Sequence, residues 1–499
     1  MFTSIVHALK TYSDQSPDKT CFLDREGDHS YGAVWKTVCS ICGFLRTLKL
    51  RDKECVVVEC TQDARYMEIA LALQLCGYIF VPVEMGVKEE RFNTIVKETS
   101  SHLVLTDKPD RYAHSDITVL SIDQVFIKAD DFCPSTKADF NRYAERPETI
   151  DSDTVAEILY TTGTTGKPKG IAVTHRNNLA IAENIICGTR MKKDNFEWVP
   201  LPLSHSHGLR TTYAAIVNGS SVFFTDGVMQ FSYIVEVMRK YPVSSLDISP
   251  SAAKVLLKLS KGRLSDFSEQ LNYIEIGTAA LDEELKQELI SQFPYTRLYN
   301  FYGTTEAGRT CILCFNKEHK DPGCIGKPAV HASFVVFNED DDIIVSSKDN
   351  QGFIGVRGDM LIPGYWGDDK TDNLVNGYLK TTDLGYIDTD GYIYIFGRAD
   401  EVINYKGIKI SPEEIEKPVL EYTGIDDCAC VPKPDPMCGF VPALFIVTNR
   451  KFNMDEFVKY LESDLDNSRM PKEIDIVKEI PRSYNGKLLR KKLKEQFFS

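Results

Sequence analysis

From Tyr31 to Leu48 apolar residues recur every three or four positions, the spacing of a helix with one buried stripe. The run "ECVVVEC" (Glu54 to Cys60) follows, compact and β-branched, which suits a buried strand. The stretch "YMEIALALQLCGYIFVPVE" reads as helix, glycine break and strand, and a further helix over Val87 to Thr99 leads into "HLVLTD". Strands that alternate with helices predict a largely parallel sheet with helices on its faces. Between Thr106 and Asp153 the periodicity fades into polar, proline-bearing sequence, which predicts a connection across the surface. Alternation resumes through "SVFFTDG", "FSYIVEVMRKY", "SSLDISPSAAKVLLKLS" and "LNYIEIG".

From about Phe334 the pattern changes to short strands and turns, such as "SFVVFNEDDDIIV" and "GYIDTDGYIYIFGR", predicting a small antiparallel sheet or barrel. After Arg398 a last segment has strand and helix patterns of its own and is long enough to form a small domain. The expected fold class is α/β, with a large N-terminal domain of several subdomains over 1–398. Its sheets are mostly parallel, with one small β subdomain, and a smaller α+β C-terminal domain covers 399–499.

Composition narrows the function. With 499 residues, two or more domains are expected, and 43% apolar with 26% charged residues is a globular make-up. A formal net charge of −14 opposes nucleic-acid binding, which needs a basic face. The N-terminus lacks the charged start, apolar run and cleavage site of a secretory signal, and no segment approaches the roughly 20 apolar residues of a membrane span. A cytoplasmic protein is expected. Of the 14 cysteines, Cys39 and Cys42, and Cys311 and Cys314, have metal-site spacing. Neither pair has histidines at finger spacing, and Cys39 and Cys42 lie in a helical pattern, so all are expected as free thiols.

The chemistry concentrates in "LYTTGTTGKPKG" (Leu159 to Gly170). Backbone N–H groups of a glycine-containing turn converge on phosphate oxygens, threonine hydroxyls add donors, and Lys167 and Lys169 add positive charge. The Walker pattern is not met, because Lys167 precedes proline and Thr161 stands where its first glycine would be. Strand-like "AEILY" before the loop and "IAVTH" after it predict a hairpin.

This stretch resembles the phosphate loop of the adenylate-forming superfamily, which includes acyl-CoA synthetases, peptide-synthetase adenylation domains and luciferases. The matching positions are Thr161, Thr162, Gly163, Thr164, Thr165, Gly166, Lys167 and Lys169. Further motifs follow in the superfamily's order. In "LPLSHSHGL", His205 matches a histidine beside the acyl pocket. "IEIGTAAL" resembles a turn near adenine, with Gly277 kept, Thr278 and Ala280 as departures and Ala279 between them. In "NFYGTTEAG", Tyr302 matches the adenine-stacking residue, Gly303 and Thr304 continue the nucleotide motif, Thr305 matches a phosphate contact and Glu306 the magnesium ligand. Asp383 and Arg398 match ribose contacts, Asp400 the interdomain hinge, and Lys487 in "PRSYNGKLLRKKL" the mobile adenylation lysine.

The resemblance implies an enzyme that uses ATP and Mg²⁺ to activate a small carboxylic acid as its acyl-adenylate, releasing pyrophosphate. The C-terminal domain then rotates, and "NYKGIKISPEEIE", with Lys406 and Gly407 on the path, guides a thiol inward. That segment resembles CoA ligases more than peptide synthetases, so coenzyme A is the expected acceptor and a carrier-protein pantetheine the alternative. The position matching Asn404 is a lysine in plant phenylpropanoid CoA ligases, so that cation is not carried over. The implied acyl pocket takes in His207, Gly208, Arg210, Asp247 and Arg309. Arg210 and Arg309 are unusual there and suggest an acid with a polar or second anionic group, while Asp247 would suit an amino-acid substrate's ammonium.

Overall fold

The computed structural model describes residues 1–109, 117–134, 146–161, 169–279, 281–367, 374–399, 401–405, 408–450, 452–482 and 488–498. The chain forms two compact units, Met1–Phe334 with Val356–Leu379, and Val335–Gly355 with Lys380–Ser499. The division differs from the expected boundary near Asp400. The strand region Lys380 to Arg398 groups with residues 335–355, to which it is tied by bonds from Thr381 Oγ1 to Ile354 O and from Ile387 N to Ser346 Oγ.

The first unit holds two sheets. In one, the strands Arg297–Thr304, Tyr273–Ile276, Ser245–Ile248, Phe196–Val199, Ser221–Phe224 and Thr20–Leu23 lie side by side in that order, all parallel. Gly308–Cys314 adds to its Arg297–Thr304 edge antiparallel. In the other, Ile79–Val83, Cys55–Glu59, Leu103–Leu105 and Thr118–Leu120 pair in parallel, and Val155–Thr161 joins Ile79–Val83 in the same sense. Val155–Thr161 then turns back antiparallel into Lys169–Thr174, the expected hairpin around the glycine-rich loop. The helix Ala64–Leu75 is buried over nearly its whole surface, which is why its sequence is apolar all round rather than striped. It shares one core with the helices Tyr31–Thr47, His175–Thr189 and Ser206–Asn218 and with side chains from both sheets.

The connection expected between Thr106 and Asp153 contains regular structure. Thr118–Leu120 extends the second sheet, and Ile122–Ala129 is a helix begun by a capping box between Ser121 and Gln124. Only Ile122, Val125 and Ala129 of that helix are buried, too short a stripe to declare itself as a period.

In the second unit, Tyr378–Ile387 pairs antiparallel with Ile393–Arg398, setting Asp383 opposite Arg398. The long strands Ile425–Asp435 and Gly439–Thr448 form an antiparallel hairpin, and Glu473–Ile476 joins it in parallel. The helices Pro412–Glu421 and Met454–Asp464 cover one face, and Leu493 of the helix Arg490–Phe498 packs on the other. No helix of the described residues is long and apolar enough to cross a membrane.

Candidate active site

The motif Tyr302 to Glu306 sits at the turn between the antiparallel strands Arg297–Thr304 and Gly308–Cys314. The strands approach so closely at Gly303 that a Cβ there would lie 1.8 Å from Gly308 O, so only glycine fits. Beyond that point Thr304 Oγ1 is buried with no hydrogen-bond partner among the described residues. Buried hydroxyls are rarely left so, and an orphaned one beside a half-exposed carboxylate marks a place where a polar ligand belongs.

That carboxylate belongs to Glu306, where one bond to the side chain and two to the backbone brace the turn. Tyr365 donates its hydroxyl to Glu306 Oε1 at 3.2 Å. Ile362 N donates to Glu306 O at 3.0 Å. Arg210 Nη2 donates to the carbonyl of the preceding Thr305 at 3.1 Å. Tyr365 is placed by the short strand Gly364–Tyr365, which pairs with Lys169–Thr174 on the far side of the phosphate hairpin. Lys169 lies over the Tyr365 ring at 4.9 Å, so the base of the hairpin and the carboxylate share one neighbour. Asn177, in the first turn of the next helix, fixes the same segment by donating to Asp359 O and Leu361 O, both at 2.8 Å.

The turn after Tyr273–Ile276 carries Gly277, Thr278 and Ala279. A Cβ on Gly277 would fall 2.1 Å from the Phe301 ring, so the glycine lets that ring pack against the turn. Thr278 and Ala279 are exposed, and Thr278 has φ +78°, strained for a β-branched residue and the kind of conformation that collects at binding sites. Tyr302 is half-buried on the adjoining strand.

His205 is the N-cap of the helix Ser206–Asn218 and makes no side-chain capping bond. Burial pulls its pKa below the ordinary histidine value, so it is neutral at pH 7. Gly208 is needed because a Cβ would lie 2.8 Å from the carbonyls of Leu201 and Pro202.

His207, Asp247, Arg309 and Glu275 form one buried network. Parallel register sets Asp247 beside Glu275, two fully buried carboxylates that need a cation. Arg309, 2% exposed, supplies it, with Nη2 on Asp247 and on Thr211 and Nε 3.2 Å from Glu275. Asp247 also accepts from Thr211 and, at 2.6 Å, from His207 Nε2. Burial would raise the Asp247 pKa, but Arg309 and His207 override it and hold it below the carboxylate range. Burial pushes Glu275 up to about 8, so it is neutral at pH 7 while Asp247 carries the charge. Burial also lowers His207, against the pull of Asp247.

These contacts correct two expectations. The Nε and Nη2 groups of Arg309 are committed to internal partners, so its charge is already balanced and it is no clamp for a second anionic group. Asp247 is fully buried among three donors and offers nothing to a substrate ammonium. Arg210 is buried too, at 2% exposed. Burial lowers its pKa to about 10, so it stays cationic at pH 7, with Glu157 and Glu306 as the carboxylates that favour its charge.

The residues 9–366 match the model of the AMP-binding enzyme family, and 414–487 match that of the AMP-binding enzyme C-terminal domain. The chain belongs to the AMP-binding enzymes. This AMP-binding enzyme is 29% identical to 4-coumarate–CoA ligase 2 of Petroselinum crispum over 97% of its own chain and 92% of the relative. It is 26% identical to 2-succinylbenzoate–CoA ligase of Listeria monocytogenes, covering 96% and 97%. In fold it matches ATP-bound MatB from Rhodopseudomonas palustris with a TM-score of 0.86 at 21% identity, over 100% of this chain and 99% of the other. It matches o-succinylbenzoate CoA synthetase of Bacillus subtilis, in complex with its acyl-adenylate intermediate, at 0.85 and 20% identity, over 98% and 97%.

Among the expected site residues of this AMP-binding enzyme, Lys169, His205, His207, Gly208, Arg210, Asp247, Gly277, Thr278, Ala279, Tyr302, Gly303, Thr304, Thr305, Glu306 and Arg309 all lie in the first unit. Asp383 and Arg398 lie in the second, as register partners. Thr162 to Lys167, Ala280, Asp400, Lys406, Gly407 and Lys487 fall outside the described residues, and of Thr161 only the backbone is described. Tyr365 and Glu275 were not foreseen. "PGYW" gives no sign that a two-residue strand would reach Glu306, and Glu275 looks like any polar position of a strand until the register sets it beside Asp247.

Proposed function

We propose that this protein is an AMP-forming carboxylate–CoA ligase, which activates a small carboxylic acid with ATP and passes the acyl group to coenzyme A. The observation that carries this reading is the braced turn Thr304 to Glu306, with an unpartnered buried hydroxyl next to a carboxylate fixed by Tyr365. Its setting in a chain that matches both AMP-binding models supports the adenylation chemistry. The CoA-ligase names of the two relatives support the acceptor.

A carboxylate is a poor electrophile, since its charge repels nucleophiles and its oxygen leaves badly. Attack by that oxygen on the α-phosphorus of ATP expels pyrophosphate and makes the oxygen part of a good leaving group, AMP. Both reactants are anions, so positioning and positive potential carry the catalysis. The loop Thr161 to Lys169 would hold the outer phosphates through backbone N–H groups and hydroxyls, and Tyr302 would stack on adenine. Glu306 and the Thr304 and Thr305 hydroxyls are hard oxygen donors of the kind Mg²⁺ takes, and when bound the ion neutralises phosphate charge. Arg210 adds a buried cation behind the turn. Asp383 and Arg398 would receive the ribose hydroxyls. Lys487 would contact the carboxylate and α-phosphate in the first step and withdraw about Asp400 for the second, when Lys406 and Gly407 would line the thiol's approach.

The test is acid-dependent pyrophosphate release followed by thioester formation on adding CoA. Pyrophosphate release without a thioester would transfer the acceptor role to a carrier-protein pantetheine.

A further inference from the structure

We propose that His207 offers its ring Nδ1 as a hydrogen-bond acceptor to the acyl substrate, so that the enzyme selects carboxylic acids whose acyl chain bears a hydrogen-bond donor, a hydroxyl or an N–H. The inference rests on the ligase reading above and specifies its substrate.

The tautomer is set by Asp247. An ionised carboxylate only accepts, and Asp247 Oδ1 lies 2.6 Å from His207 Nε2, so the proton of the neutral ring is on Nε2 and the lone pair on Nδ1. Thr211 and Arg309 saturate the other carboxylate oxygen, which leaves Asp247 no freedom to turn away. His207 is 8% exposed, and its Nδ1 is buried without a hydrogen-bond partner among the described residues. A buried acceptor held open at a cost to stability is what a site leaves for a donor that arrives with its ligand.

The surroundings are aromatic and carry no net charge. The His207 ring meets Phe301 edge to face at 4.8 Å, and Phe301 in turn fills the space denied to a side chain at Gly277. Phe301 thus touches both His207 and the Gly277 turn, and Tyr302 follows it on the strand Arg297–Thr304. The charges behind His207 cancel, Asp247 against Arg309, with Glu275 and His207 in their neutral forms. A second carboxylate, an acceptor without a proton, would therefore meet an acceptor at Nδ1, and Arg309 has no charge left for it. A site built to bond a hydroxyl rejects the analogue without it far more strongly than an apolar pocket rejects an added methylene.

Pyrophosphate release is measured with the full-length enzyme, ATP and Mg²⁺ on matched aliphatic and aryl acids. Each is supplied as the parent, its hydroxyl derivative, the methyl ether and the corresponding dicarboxylic acid. The expected result is a kcat/KM for the hydroxyl acid about tenfold or more above parent and ether in at least one series. That ratio should fall toward one in His207→Phe. In Asp247→Asn the side-chain amide donates to Nε2 and moves the ring proton to Nδ1, so the preference should turn toward the ether. Equal rates for parent and hydroxyl acid, or a preference for the dicarboxylic acid, overturn the proposal on the wild-type enzyme alone, whether or not the variants fold. Absence of release with every acid, while ATP still binds, overturns the ligase reading beneath it.

Discussion

The hydroxyl of Tyr365 lies 3.2 Å from Oε1 of Glu306, which joins an edge strand of one sheet to a turn between two strands of the other. A carboxylate meant to hold a metal ion gains from a partner that fixes its rotamer, and removing such a partner typically costs about 10- to 100-fold in metal affinity or activity. Tyr365→Phe keeps the ring under Lys169 and deletes the bond to Glu306. The variant should need more Mg²⁺ for half-maximal pyrophosphate release and lose about tenfold in kcat, with thermal stability nearly unchanged. A Mg²⁺ titration of the two enzymes checks this, and identical curves would mean that the bond does not position Glu306.

Among the described residues Arg309 is the single cation paired with the buried acids Asp247 and Glu275, so its truncation should act on folding before it acts on specificity. Removing one partner of a buried pair leaves an uncompensated charge and costs about 3–5 kcal/mol. Arg309→Ala should lower the urea midpoint accordingly. Arg309→Ala with Asp247→Asn should recover part of the loss, because the second change removes the orphaned charge. A singly substituted enzyme of full stability would show that Arg309 is not needed to balance Asp247.

Glu68 lies on the helix between the two sheets at 3% exposed, and burial pushes its pKa from 4.5 up to about 8. The folded chain therefore keeps a proton that the unfolded chain releases above about 4.5. The stability difference is fully present below that value and is lost as the pH rises toward about 8, by on the order of a few kcal/mol for a shift of this size. Glu68→Gln cannot titrate, so its stability should vary less across that window and exceed the wild type at pH 8. Urea unfolding at pH 5 and pH 8 decides it, with parallel losses in the two proteins as the contrary result.

At Gly303 backbone approach, rather than dihedral freedom, dictates the residue, since a Cβ would overlap Gly308 O. Gly303→Ala must push the two strands apart at the turn that carries Thr304 to Glu306. Overpacking of this kind typically costs about 1–3 kcal/mol. ATP binding should weaken by about tenfold or more in calorimetry, and unchanged affinity would mean that the turn tolerates the separation.

Much of this architecture was legible because its signals are local. The phosphate hairpin follows from strand-like residues on both sides of a glycine-rich loop, and the parallel sheets follow from alternating patterns. The helix Ile122–Ala129 was hidden because three buried positions in eight residues do not make a period, although Ser121 and Gln124 do spell its start. Arg309 and Asp247 were visible as residues but not as a pair. They stand 62 positions apart, and only strand order brings them together. A sequence shows an arginine near a pocket. Whether its charge is free depends on register, and register placed two carboxylates beside it.

Following pyrophosphate and thioester together in one reaction tests whether the enzyme is an AMP-forming ligase. The enzyme with ATP, Mg²⁺ and a hydroxyl-bearing carboxylic acid should release pyrophosphate in proportion to acid activated and, once CoA is added, convert the activated acid to acyl-CoA with AMP as the other product. ATP hydrolysis to ADP and phosphate, or turnover independent of any acid, would contradict an AMP-forming ligase.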